Sequence, residues 1–326
     1  MSDVSPSLLT WLEQCTAKNV THSALLQMLW SGYGECFRAW LDGNTTPVVV
    51  KAVVPPTYSR HPRGWNGDAG HRRKLRSFDI EHRFYTHYQP QLTSGSYAPR
   101  LLAEDKRGDA VLLVLDDLQA HGYVTQPSSL SVTQCQPVLH WLAHFHARFL
   151  NEAFTGLWQQ GCYWHLATRQ DEWRAMADGP LKSHAAALDD MLQQARFKTL
   201  LHGDAKLANF CFTADGTRAA AIDFQYTGSG PGIRDVAYFL GSALSDDDLL
   251  TATDTCLDMY FDELACALRS CISVTTLTDL ESEWRALYPV ACADFHRFLA
   301  GWSPDHRKIN EALRRQTADA LVKIKG

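Results

Sequence analysis

The chain has 326 residues, 45% of them hydrophobic and 21% charged, with no long low-complexity tract. That is ample material for a globular core, and it excludes a disordered or fibrous chain. A formal net charge of -5 argues against nucleic acid as the main partner.

No run approaches about 18 uninterrupted apolar residues, so neither a transmembrane helix nor a membrane partner is expected. The opening MSDVSPSLLTWLEQC lacks the basic and apolar regions of a signal peptide. The nine cysteines are scattered without a CxxC pair. Zinc-ribbon spacing is therefore absent, and reduced thiols in a cytoplasmic protein are expected.

Along the first third, CFRAWL (36–41) and PVVVKAVV (47–54) are strand-like runs separated by the turn signal DGNTTP. AVLLVL (110–115) is a third strand, with EDKRGD before it as turn residues. Between them, Leu75, Phe78, Ile80, Phe84 and Tyr85 recur at helical spacing. After residue 118 helical periodicity takes over, in 131–150, 246–268, 280–300 and 304–324. For the last of these, WSPDH supplies a start signal: Ser303 as cap, Pro304 in the first turn and Asp305 at the positive end of the dipole. LLHGDAKLANFCF (200–212) and AAAIDF (219–224) are short strands within this helical half. No internal repeat is present.

The run 200–212 sets His202, Asp204, Lys206 and Asn209 into an apolar stretch, where each polar group buried without a partner costs a few kcal/mol. Moving a phosphoryl group between oxygens needs a carboxylate near the accepting hydroxyl, metal ligands, and a cation on the phosphates. Asp204 with Asn209 five places on can aim a carboxylate at an acceptor and an amide at a metal. Asp223, at the end of AAAID, offers a second hard oxygen ligand suited to Mg²⁺.

His202-Gly203-Asp204-x4-Asn209 followed by Ile222-Asp223-Phe224 resembles the aminoglycoside phosphotransferase and choline kinase superfamily, with the ecdysteroid kinase-like branch as the nearest likeness. The resemblance implies an α+β, two-lobed protein-kinase-like fold: a small antiparallel-sheet N-lobe (1–115), a hinge (116–118) and a larger helical C-lobe (119–326). It implies Asp204 as catalytic base, with Asn209 and Asp223 holding metal. Gly32 and Gly34 in WSGYGECF resemble a phosphate-covering loop, although Phe37 stands where the third glycine would be. Lys51 resembles the strand lysine on the nucleotide phosphates, and Glu81 the helix glutamate that pairs with it. LVLDDL (113–118) resembles the hinge, with backbone around Leu115 and Asp116 meeting adenine. The cofactors implied are ATP and Mg²⁺.

Other features have plainer readings. His140, His144 and His146 lie on one apolar helical segment; the first two have the i, i+4 spacing of a zinc pair without the glutamate of HExxH, so core histidines are expected. The glycines of GSGPGIRD (228–235) match no phosphate loop, and the resemblance gives Asp235 the task of bracing the catalytic loop. Asp246–Asp248 after Ser245 reads as a helix start. The basic segment 59–77 is expected to be a solvated loop, or else a flap over nucleotide or an anionic substrate.

A protein kinase would need a long segment after the metal-binding Asp, ending in Ala-Pro-Glu. Here 11 residues separate Asp223 from Asp235, and no Ala-Pro-Glu occurs. An inactive scaffold would be expected to lose one of Lys51, Asp204, Asn209 or Asp223, and all four are present. The resulting expectation is an ATP-dependent small-molecule kinase acting on an alcohol. Lys206 is placed to offset charge on the γ-phosphate. The aromatic content of the helical half suggests a largely apolar alcohol; a choline- or aminoglycoside-type cationic acceptor is the alternative. The oligomeric state stays open.

Overall fold

The computed structural model describes residues 3–29, 32–56 and 68–325. The part of the basic segment between 59 and 67 lies outside them. The chain divides into two compact units, Met1–Gln91 with Ala98–Val124 and Leu92–Tyr97 with Thr125–Gly326. The architecture is α+β, with an antiparallel sheet in the N-terminal unit and helices dominating the C-terminal one.

The first unit holds α1 (Pro6–Thr16), β1 (Val20–Met28), β2 (Gly34–Leu41), β3 (Val48–Val53), α2 (Asp68–Arg83), β4 (Leu101–Arg107) and β5 (Ala110–Asp116). The five strands form one antiparallel sheet in the order β1-β2-β3-β5-β4. Burial alternates strictly along β2, as expected for a strand with one face on a core. Leu8, Trp11 and Leu12 of α1 pack against that face, on Phe37, Ala39 and Val50. Neither α1 nor β1 was expected. The helix is only 11 residues long, and the burial of β1 does not alternate; Leu8, Trp11 and Leu12 do stand at helical spacing and were the available signal for α1.

The turn expected at EDKRGD is smaller than anticipated. Glu104 to Arg107 continue β4, and only Gly108 and Asp109 turn, joining the Arg107–Ala110 pair. β4 lies at the sheet edge, where charged side chains stay in water and discourage pairing with another chain.

A short strand β6 (Tyr123–Thr125) leads into the second unit, which contains α3 (Gln136–Arg148), α4 (Gln170–Ala175), α5 (Pro180–Ser183), α6 (Ala185–Gln193), α7 (Ile233–Ala243), α8 (Asp246–Leu268), α9 (Val274–Trp302) and α10 (Glu311–Lys325). Four short strands interrupt them: β7 (Thr199–Leu201), β8 (Phe210–Thr213), β9 (Ala219–Ala221) and β10 (Gly228–Gly230). β7 pairs antiparallel with β10, and β8 with β9.

The last helix begins later than WSPDH suggested. α9 runs through to Trp302, and α10 starts at Glu311 with Asn310 as its cap: Leu313 N donates to Asn310 Oδ1 at 3.0 Å. The Asp246 carboxylate accepts from the amides of Glu311 and Ala312, so an acid from α8 satisfies orphan donors of α10. Ser245 caps α8 as expected, its Oγ accepting from Asp248 N at 3.1 Å.

Of the three α3 histidines, only His146 is a core residue, fully buried and bonded to Tyr260 Oη at 2.8 Å. His140 and His144 are half-buried and face Glu263 of α8. They lie on a stripe of α3 beside the one that carries Leu139, Leu142 and His146 inward. A buried ion cluster ties α7 to α9: Asp294 accepts from Arg234 Nη2 at 2.8 Å and Arg297 Nε at 2.8 Å.

Candidate active site

In the first unit, Lys51 sits mid-strand in β3, opposite Cys36 of β2 and Leu113 of β5. Its Nζ lies 2.7 Å from Glu81 of α2, whose side chain is 2% exposed. Burial removes competing water, so the pair holds the ammonium in one place. At the β1–β2 connection Gly32 and Gly34 both take positive φ, 73° and 133°. At Gly34 a Cβ would lie 2.0 Å from Ala52 O, so the strand tolerates only glycine there. Trp30 and Ser31 of the expected phosphate loop lie outside the described residues.

Leu115 and Asp116 end β5 and are buried. The Asp116 carboxylate accepts from Arg100 N at 2.6 Å and Arg100 Nε at 2.9 Å. It is engaged in closing β4 onto β5.

In the second unit, residues 202–209 connect β7 to β8, and Asp223 stands two residues past the end of β9. The bend at Gly203 has φ +77°, and a Cβ there would lie 2.0 Å from Tyr226 O. An arginine at this position, as protein kinases have, cannot fit. The Asp235 carboxylate accepts from the amides of His202, at 2.6 Å, and Gly203, at 3.0 Å. His146 Nε2 stands 3.3 Å from the same carboxylate. His202 donates from Nε2 to Ile222 O at 3.0 Å, joining the loop to the strand that carries Asp223. Its role is to brace, and burial holds its pKa down.

On this frame Asp204 is oriented through one oxygen. Its Oδ2 accepts from Lys206 Nζ at 3.0 Å and Asn209 Nδ2 at 3.1 Å. Its Oδ1 is buried with no hydrogen-bond partner. Burial raises the Asp204 pKa; Lys206 opposes that and the charge of Asp223 reinforces it. Asp223 itself takes φ +70°, a left-handed conformation that costs a non-glycine residue energy.

Asn209 spends its amide nitrogen on Asp204, which directs its amide oxygen away from that carboxylate. The Asn209 amide oxygen and the Asp223 carboxylate are hard oxygen donors of the kind that fits Mg²⁺, and the unpartnered Asp204 Oδ1 is left over for other chemistry.

Two neighbours had no sequence signal. Tyr163 lies outside every helix and strand, bonds Tyr238 Oη at 3.2 Å, and feels the charge of Asp204. Lys308, between α9 and α10, is 5.0 Å from the Tyr238 ring centroid. Burial holds its ammonium down at about 8, with Asp204 pulling the other way. Both sit far from the 200–223 motifs in sequence, in loops with no pattern to mark them. Tyr238 and Lys308 also line a cavity of about 220 Å³ with Trp164, Tyr288 and Phe295. Among the aromatic residues of the helical half, Trp164, Trp284, Tyr260 and Tyr288 are core. Tyr226 is half-buried, stacks on Trp158, and raises the Lys206 pKa alongside Asp204.

Residues 68–269 match the phosphotransferase enzyme family APH. No curated protein matches the chain. Among solved structures, a microcompartment-associated aminopropanol kinase is similar at 13% identity and TM-score 0.52, over 98% of this chain and 96% of that one. A spectinomycin phosphotransferase solved with ADP and spectinomycin is similar at 11% identity and TM-score 0.50, over 99% and 98%. At these identities the likeness shows a shared kinase-like fold. No helix among the described residues is long and apolar enough to cross a membrane.

Proposed function

Because the chain belongs to the APH phosphotransferase enzyme family, we propose that it is an ATP-dependent kinase that moves the γ-phosphate to the hydroxyl of a small alcohol. The observation that carries this reading is the asymmetry of Asp204: one carboxylate oxygen is fixed by Lys206 and Asn209, and the other is buried and free to accept a proton. A general base needs that geometry, with its lone pair aimed and its partner oxygen restrained.

In this reading Lys51, held by Glu81, grips the nucleotide phosphates, Gly32 and Gly34 give their loop its close approach, and main chain near Leu115 and Asp116 meets the adenine. The ADP in the solved spectinomycin phosphotransferase supports an adenine nucleotide. Asn209 and Asp223 would hold Mg²⁺, which neutralises phosphate charge when bound. Asp204 Oδ1 takes the acceptor's hydroxyl proton as its oxygen bonds to phosphorus and the bond to ADP breaks. Lys206 offsets charge on the transferring group. The likeness to the ecdysteroid kinase-like branch and a cytoplasmic location belong to the same proposal and rest on sequence alone.

For the acceptor, Tyr163, Tyr226 and Lys308 favour a neutral or anionic alcohol with apolar or aromatic surface. A fixed cation on the substrate would be repelled by the ammonium of Lys308, and a cation-binding site needs carboxylates or an open aromatic cage instead. The deciding experiment is ATP consumption across a library of alcohols, with product mass measured. Phosphorylation of sterol-like, aromatic or anionic alcohols with the best kcat/KM supports the reading. Preference for choline, aminopropanol or aminoglycosides would overturn the acceptor class, and absence of any phosphorylated product would overturn the kinase.

A further inference from the structure

We propose that His140, His144 and Glu263 form a binding site for one zinc ion, clipping α3 to α8. The two histidines are one helical turn apart on α3, so their rings project from the same face. Their ring centroids are 4.2 Å apart. The glutamate they lacked in sequence arrives from α8, 123 residues downstream of His140.

Glu263 Oε2 lies 2.8 Å from His140 Nδ1 and 4.0 Å from His144 Nε2. The three donor atoms all fall within 4.8 Å of one another. Zinc bonds of about 2.0 to 2.1 Å in tetrahedral geometry set donors about 3.3 Å apart, so small side-chain adjustments convert this cluster into three coordination positions. Water would take the fourth. Two imidazoles with one carboxylate suit zinc better than magnesium or calcium, which prefer all-oxygen shells.

The surroundings are built as a metal site's are. Gln136 Nε2 donates to the other carboxylate oxygen, Glu263 Oε1, at 3.1 Å, the outer contact that orients a carboxylate ligand. Gly95 backs the ring of His144, where a Cβ would come within 2.6 Å. The His146–Tyr260 hydrogen bond fixes the two helices nearby, so the ligands sit on rigid elements. The three side chains are 26% to 38% exposed, which leaves an ion a path from solvent.

The test is calorimetric titration of the chelator-stripped full-length protein with zinc chloride. Co²⁺ as a spectroscopic stand-in reports coordination number, and thermal unfolding follows with and without zinc. One equivalent should bind, the Co²⁺ form should show the intense visible bands of four-coordination, and zinc should raise Tm. His140→Ala, His144→Ala and Glu263→Gln should each weaken zinc binding by more than about 100-fold, since even outer contacts are worth about 10- to 100-fold. Gln136→Ala, which removes no ligand, should cost about tenfold. Circular dichroism of each variant in chelator shows whether it is folded, and His140→Gln replaces His140→Ala if that variant is not. Absence of stoichiometric binding, a six-coordinate Co²⁺ spectrum, or zinc binding that persists in all three ligand variants, as at cysteine thiols, would overturn the site.

Discussion

Lys206 Nζ lies 3.0 Å from Asp204 Oδ2. The pair sets opposing demands: burial pushes the Asp204 pKa up, and Lys206 is the largest influence drawing it back. Replacing Lys206 by Met should therefore shift the acid limb of kcat to higher pH. It should also lower kcat more than it changes the KM for ATP, as the proposed action of its charge on the transferring phosphate requires. Asp204→Asn should reduce kcat by about 10² to 10⁴ while leaving nucleotide affinity nearly unchanged. PH–rate profiles and nucleotide titrations check both. An acid limb that stays in place in Lys206→Met would separate Lys206 from the ionisation of Asp204.

Asp235 accepts the backbone amides of His202 and Gly203 in the loop that carries Asp204. An asparagine there has one acceptor oxygen, so one buried amide would face an NH₂ group. Asp235→Asn should cost about 1 to 3 kcal/mol of stability, and kcat should fall through misplacement of Asp204 with the KM for ATP little changed. Urea unfolding with steady-state kinetics distinguishes this from loss of nucleotide binding, which would move that KM instead.

Lys308 should act as a titrating selector of the acceptor. Its ammonium is held down at about 8 by burial and by the like charges of Lys206 and Arg307, against the pull of Asp204. With an anionic alcohol, KM should rise as pH passes through about 8, and Lys308→Met should abolish that dependence. Lys308→Glu should improve the relative kcat/KM for amine-bearing alcohols. Unchanged selectivity in both variants would remove Lys308 from acceptor recognition.

His165 links the fold to acid stability. It is 6% exposed and bonds Cys162 O from Nδ1 at 2.7 Å. Burial holds its pKa down at about 4, against 6.5 in an unfolded chain. Below pH 6.5 the unfolded chain gains a proton that the folded one refuses until about pH 4. Stability should therefore fall as pH drops from about 6.5 to 4, by roughly 3 kcal/mol from this residue. His165→Asn, which keeps a donor for Cys162 O, should flatten that slope in denaturant titrations across the window.

Sequence by itself determined the order and spacing of the candidate site residues along the chain. Asp204, Lys206 and Asn209 share one short loop between two strands, which can satisfy their spacing only in a few ways, and Asp223 follows after the next strand pair. Val48 to Val53 and Ala110 to Asp116 were legible as strands because they are central in the sheet and apolar apart from Lys51 and the terminal Asp116. The edge strand β4 was misread as a turn, since its polar residues answer to solvent.

Tertiary structure decided what distant segments do together. It brought Asp235 under the loop, gave His146 to Asp235 and His140 to Glu263, and set Lys308 where it feels Asp204. It also moved the start of α10 to Glu311, capped by Asn310 and by an acid supplied from α8. The physical reason is common to these cases. Local spacing governs which side chains share a helix face or strand, whereas a contact between residues more than 30 positions apart depends on how whole elements bury their apolar faces, which no local pattern encodes.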